Sequence, residues 1–199
     1  MSSSVKFSDR LEKWLKSNDS KTLGDLQLVF GDKAFALAFL LLLSIPALPL
    51  PTGGISHATE IVAMLLALEM VIGRQAIWLP KRWQKLSLGK TSQKKALPFL
   101  MRRIRWFEKF SRPRLGSFLE QRGMRSVIGL TVFLLSLGAF LAPPFSGLDT
   151  LPALGVVIIA LGLILEDVVF YIIGTFIGIL GIAITVDLGA TVVHFMKRL

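Results

Sequence analysis

Two apolar stretches of this chain align on one another without a gap, ninety-three residues apart, and this duplication limits the available folds more than any other feature. The first runs from Phe35 to Leu79 and the second begins at Ile128. Pro51 falls on Pro144, Gly54 on Gly147, and Ala67-Leu68 on Ala160-Leu161. Each copy is an apolar run, a Pro/Gly break, a second apolar run and then polar residues. Repeats of broken apolar helices are the building plan of membrane transporter-like folds.

The chain has 199 residues, 53% hydrophobic and 18% charged, which is one membrane domain with no room for a separate soluble enzyme domain. The absence of Cys excludes disulfides, thiolate catalysis and Cys-based metal sites. Two His leave little for metal ligation, so neither a metal nor another cofactor is expected. The first 33 residues are polar and mixed in charge, without the short apolar core of a signal peptide.

The net charge of +10 is concentrated in one place. Residues 34–73 hold no Lys or Arg, whereas residues 74–125 hold fifteen against two Glu. A basic linker between apolar repeats is explained by the positive-inside rule: it is expected to be cytoplasmic and to lie against anionic lipid headgroups. Nucleic acid is not an expected partner.

Ala34 to Ile45 makes an apolar helix of roughly 18 Å, well short of a ~30 Å hydrocarbon core. Pro46, Pro49 and Pro51 each remove a donor, and Thr52-Gly53-Gly54 turns the chain back into a helix from Ile55 to Gly73. Val127 to Ala142, the Pro143-Pro144 and Ser146-Gly147 break, and Leu151 to Leu165 repeat the scheme. All four arms are short, so the expected units are re-entrant hairpins or hairpins crossing a thin region. Their tips, at Pro49, Pro51, Gly53, Gly54, Pro143, Pro144 and Gly147, must be buried in protein or line a wet cavity. Both hairpins enter from the side of the linker, which makes the repeats parallel.

Val168 to Val186 is uncharged and long enough to span a bilayer. Gly174 and Gly178 form a GxxxG that Gly181 extends, suited equally to packing within one chain and to a homo-oligomer. Phe7 to Lys16 reads as a surface helix with Leu11, Trp14 and Leu15 on one side. Thr22-Leu-Gly-Asp25 reads as a capping box for a second one. Pro98 to Arg112 reads as an interfacial helix, with Phe99, Leu100, Met101, Ile104, Phe107 and Phe110 opposite Arg102, Arg105 and Lys109, and Trp106 at the border. The expected architecture is an all-α integral membrane protein. It comprises N-terminal cytoplasmic helices (1–33), a first membrane hairpin (34–79), a basic amphipathic interfacial linker (80–126), a second hairpin (127–166) and a C-terminal transmembrane helix (167–199).

The segments TLGDLQLVFGDKAFALAF, PLPTGGIS, ALEMVIGRQAIWLPKRW, LPFLMRRIRWFEKFSRPRL and LPALGVVIIALGLILED, in this order and spacing, resemble the bacterial exopolysaccharide synthesis protein ExoD family. The resemblance runs from Thr22 to Gly189 and rests on order and spacing rather than on any single motif. It implies a bacterial inner-membrane protein linked to exopolysaccharide production, working beside the polysaccharide synthesis machinery. It brings no catalytic motif.

Ionisable groups at membrane depth carry an insertion penalty of roughly 2.5–3.5 kcal/mol each, so each needs a partner or a role. Glu60 and Glu69 lie about 180° apart around a helix and cannot serve one face. Under the repeat alignment Arg74 falls on Asp167 and Gly73 on Glu166, which makes an Arg74 pairing with Asp167 or Glu166 one expectation. A solvated turn at Glu166-Asp167 is the other. His57 and Glu60, three apart at a helix start, form half of a metal or proton site, or simply a helix cap; Asp149 sits at the equivalent start in the second repeat. Asp187 is either an interfacial residue or an acid on a pathway. Three functions fit: an accessory or transport-related membrane component of exopolysaccharide synthesis or export, a proton- or cation-coupled transporter or channel, and a membrane enzyme acting on a lipid-linked sugar. The last is disfavoured, because no nucleophile–base pair or carboxylate dyad is visible.

Overall fold

A computed structural model describes residues 7–17, 30–44, 46–48, 54–74, 76–78, 97–109, 119, 121–143 and 146–196. Among these residues the chain is all-helical: α1 (Phe7–Lys16), α2 (Ala34–Leu43), α3 (Gly54–Val71), α4 (Leu97–Glu108), α5 (Arg122–Leu141), α6 (Thr150–Leu165) and α7 (Val168–Met196). A 3-10 turn, Gly31–Lys33, leads into α2. The expected capping box at Thr22–Asp25, the tip residues Pro49, Pro51, Gly53 and Pro144, and most of the basic linker lie outside the described residues.

Helix α2 is apolar all round and buried over most of its circumference, with Phe35, Leu37, Phe39 and Leu43 at 0–1% exposure and a half-buried stripe at Ala38, Leu41 and Leu42. It packs on α6 and also on α3. Ser44 ends it by bonding back to the Leu40 carbonyl.

Helices α6 and α7 form the closest pair in the molecule. They run antiparallel across a turn in which Glu166 takes the left-handed conformation (φ 57°) and Asp167 N–H donates to the Gly162 carbonyl at 3.0 Å. Backbone meets backbone along this pair. A Cβ on Gly155 would lie 2.7 Å from the Gly174 carbonyl oxygen and 2.8 Å from the Gly178 nitrogen. A Cβ on Gly181 would lie 2.6 Å from the Pro152 ring. The Gly174/Gly178/Gly181 stripe is therefore used inside the chain. Gly178 also receives the Leu135 side chain from α5.

Helix α5 is longer than its apolar stretch implies. The apolar run starts at Val127, but the helix begins at Arg122 and reaches 20 residues. Backbone hydrogen bonding does not stop where side chains turn polar, and the added turn makes α5 long enough to cross a membrane. By length and composition, α5 and the Val168–Leu188 part of α7 are the two described helices that qualify. The expectation that all four arms fall short holds for α2 and α6, and fails for α5.

Helices α3 and α5 pack antiparallel in fixed register. Ser126 Oγ donates to the Val71 carbonyl at 3.0 Å, and a Cβ on Gly129 would lie 2.9 Å from the Val71 nitrogen. At the other end His57 lies against Phe140, ring centroids 5.3 Å apart.

Helix α1 docks on α4. Arg105 Nη2 donates to Glu12 Oε2 at 2.6 Å and lies 3.7 Å from Asp9 Oδ1. Trp14 is buried edge-on against Phe30, centroids 5.8 Å apart. On α4 the expected faces hold at the described side chains: Ile104 is fully buried and Arg102, Arg105 and Lys109 are exposed. Phe107 meets Phe170 edge-on at 5.8 Å, fastening the linker helix to the start of α7.

Two predictions follow from these contacts. Gly155→Ala drives a methyl into backbone and is expected to lower unfolding stability by about 1–3 kcal/mol. Gly123→Ala, which meets nothing within 4 Å, should raise it slightly; thermal unfolding of both variants reads the difference. Hydrogen bonds from Lys16 and then Arg105 hold the Glu12 carboxyl below its ordinary range. Its contribution is present above that range and disappears as pH falls through the lowered value. Hydrogen-exchange protection factors over residues 7–16, taken relative to the intrinsic rate at each pH, should fall on acidification, and Glu12→Gln should show the same loss of protection at neutral pH.

Candidate functional site

Among the described residues two acids are buried, Asp167 and Glu60, and they differ in how their carboxylates are met. Glu60, in the second turn of α3, is fully buried, and neither carboxylate oxygen has a hydrogen-bond partner. His57 Nδ1 lies 3.3 Å from Glu60 Oε2, one helical turn earlier, in an alignment that makes no hydrogen bond. The His57 ring is partly open, with 27% of the side chain exposed, yet Nδ1 itself is buried. Asp149, at the start of α6, is near enough for its charge to act on Glu60.

A third member was not foreseen from sequence. Ser136 on α5 is fully buried, and its hydroxyl has no partner. The register fixed by Ser126 with Val71 and Phe140 with His57 brings Ser136 level with the turn of α3 that carries Glu60. Ser136 lies two turns beyond Gly129 on the same stripe of α5. Hydroxyls in these helices ordinarily bond back to their own helix: Thr131 to Val127, Thr175 to Tyr171 and Thr185 to Gly181, at 2.8–3.0 Å. Ser136 does not, which separates it from ordinary helix hydroxyls.

Most of the remaining candidates have structural partners. Glu69 Oε2 accepts the Trp78 N–H at 2.8 Å, on the far side of α3 from Glu60. Arg74 is exposed and makes no ion pair among the described residues. Glu166 pairs instead with Lys33, whose Nζ lies 2.5 Å from Glu166 Oε1 and donates to the Ile164 carbonyl at 3.1 Å. A cation there satisfies an end-of-helix carbonyl and complements the helix dipole. Asp167 is buried and accepts the Val169 N–H at 3.1 Å, an N-cap for α7. The Glu166-Asp167 turn thus joins α6 to α7, and its ion pair is with Lys33 rather than Arg74. Of the described tip residues, Gly54 opens α3, Pro143 follows α5, and Gly147 has φ +70° in a turn closed by Ser146 Oγ on the Pro143 carbonyl at 2.6 Å. Asp187 is exposed near the end of the apolar part of α7.

An all-helical bundle with two helices of spanning length and a buried acid–imidazole pair defines the structural class. The family model described as "Exopolysaccharide synthesis, ExoD" matches residues 7–186, and the chain belongs to that family. It is 32% identical over 151 residues to the uncharacterized protein slr1875 of Synechocystis sp., covering 73% of this chain and 68% of that protein. No solved structure matches.

Lys33→Met removes both contacts at the α6 terminus and should destabilise the fold by about 1–3 kcal/mol. Lys33→Arg should keep most of the stability; chemical denaturation of the two variants compares them.

Proposed function

We propose that this chain is an integral membrane component of exopolysaccharide synthesis or export, with an accessory, transport-related and non-catalytic role centred on Glu60. The observation that carries this reading is the complete burial of an acid with no hydrogen-bond partner. A carboxyl needed only for stability would have a donor, and intramembrane acids mark ion or substrate pathways. Family membership supports the link to exopolysaccharide.

Exposure supports the membrane setting. Only 17% of the Val168–Leu188 window and 33% of α5 are buried, unlike core helices of a soluble protein. Ile172, Phe176 and Ile179 of α7, Leu130 and Leu134 of α5, and Val62 and Leu65 of α3 face outward, an apolar band suited to lipid. In this reading α2–α3 and α5–α6 are the tandem hairpins and α7 is the C-terminal transmembrane helix. The packing of α2 on α6 and of α3 on α5 is what a pseudo-twofold relation between the copies would produce. The N-terminus and the linker are cytoplasmic, with the basic residues of α4 at anionic headgroups.

The test is secreted polysaccharide from a deletion strain complemented with each variant, with membrane levels measured alongside. Glu60→Gln is expected to reach the membrane and to leave polymer undetected or strongly reduced. Glu69→Gln and Arg74→Ala should restore it. Full restoration by Glu60→Gln would overturn the reading.

A further inference from the structure

We propose that His57 and Glu60 form a proton relay, in which the imidazole carries a proton between the surface and the buried carboxyl, and Ser136 holds the protonated acid. The inference rests on the reading of Glu60 as the centre of the membrane role, and it specifies the ligand as a proton.

Four polar atoms lie buried without hydrogen bonds in this part of the molecule: Glu60 Oε1 and Oε2, His57 Nδ1 and Ser136 Oγ. Nδ1 and Oε2 lie 3.3 Å apart, within reach of a shared proton, and a turn of the imidazole is needed to aim its N–H at the carboxylate. The imidazole suits transfer because its two nitrogens face different surroundings. Nδ1 is buried toward Glu60, so the ring's exposed part belongs to its other atoms. In the inward step, Nε2 takes a proton from water, and the Nδ1–H bond breaks as an O–H bond forms at Glu60 Oε2. This leaves a neutral imidazole protonated at Nε2 and a neutral carboxylic acid. The acid then has a donor and an acceptor to satisfy, and Ser136, the hydroxyl that declines its own helix, can serve either.

Among the described residues the surroundings hold no competing counter-charge. Helix α2 offers no titratable group between Ala34 and Leu43. On α5 Phe140 meets His57 and Ser136 lies level with Glu60, while Arg122 and Arg125 lie at the opposite end, near Gly73 and Val71. From α6 the charged group near Glu60 is Asp149, another acid, which offers no counter-charge. Glu69, on α3 itself, is bonded to Trp78. A metal ion would need more ligands: no group of three or more His, Cys, Asp or Glu side chains converges among the described residues.

The test is infrared difference spectroscopy of the purified full chain during an acid–base step, reading the C=O stretch of protonated carboxyls. The wild type should show a band from a sequestered acid. Glu60→Gln should lose it, Ser136→Ala should shift it to higher frequency, and His57→Phe should slow its response to the pH step. An unchanged band in Glu60→Gln overturns the proposal. Should Glu60→Gln fail to accumulate, an unmoved band in Ser136→Ala together with an unslowed response in His57→Phe overturns it equally. The complementation assay separates the two readings. A lost band with normal polymer keeps the relay and removes the transport role; lost polymer with no such band in the wild type does the reverse.

Discussion

The contact between Gly155 and the Gly174–Gly178 turn is the one on which the other helices depend. It brings two backbones together with no side chain between them. Under the proposed membrane setting, helices gain no hydrophobic drive toward each other, and close van der Waals approach over small residues takes its place. Once α6 and α7 are seated, Gly178 receives Leu135 and so positions α5. Gly129 of α5 then admits the backbone of α3 at Val71 and Ala67. That last contact sets the register which brings Ser136 to the level of Glu60. The polar site is thus assembled by glycine geometry four helices deep, with the Ser126 bond to the Val71 carbonyl securing the register.

This explains how an unfavourable site persists. Leaving a buried polar group unsatisfied destabilises a fold by about 1–3 kcal/mol, more when the group is charged. Here two side chains and a hydroxyl are in that condition within one region. The surrounding apolar packing, above all α2 with Phe35, Leu37 and Phe39 fully enclosed, outweighs the penalty. Elsewhere the molecule satisfies its polar groups carefully: Lys33 at the end of α6, Asp167 at the start of α7, Ser146 in the second tip. Against that background the exceptions around Glu60 read as retained rather than accidental.

Much of the helical plan was legible from periodicity and punctuation. The start of α7 after Asp167, the core of α4 and the opposed placement of Glu60 and Glu69 all match simple helical arithmetic. The polar start of α5 was not legible, because an apolar run marks where lipid or core begins, not where hydrogen bonding does. Lys33 was hidden by distance, its partner being 133 residues away. Ser136 was not legible, since a hydroxyl that bonds its own helix and one that does not are written with the same letter. The pairing drawn between Arg74 and the Glu166-Asp167 turn followed from aligning the repeats. Symmetry of sequence relates equivalent positions and does not make them touch.

The glycine contacts differ in what they meet, and this sets where the molecule can yield. Between α6 and α7, and between α3 and α5, a glycine abuts backbone, which cannot move aside. Between α5 and α7, Gly178 meets Leu135 and Gly138 meets Ile182, side chains with rotamers to exchange. The bundle is therefore two stiff couples separated by a soft seam, the arrangement in which small sliding motions occur. Glu60 rides on one couple and Asp149 on the other, so slippage along the seam changes the distance between two acids together with the Thr131–Tyr171 contact that crosses it.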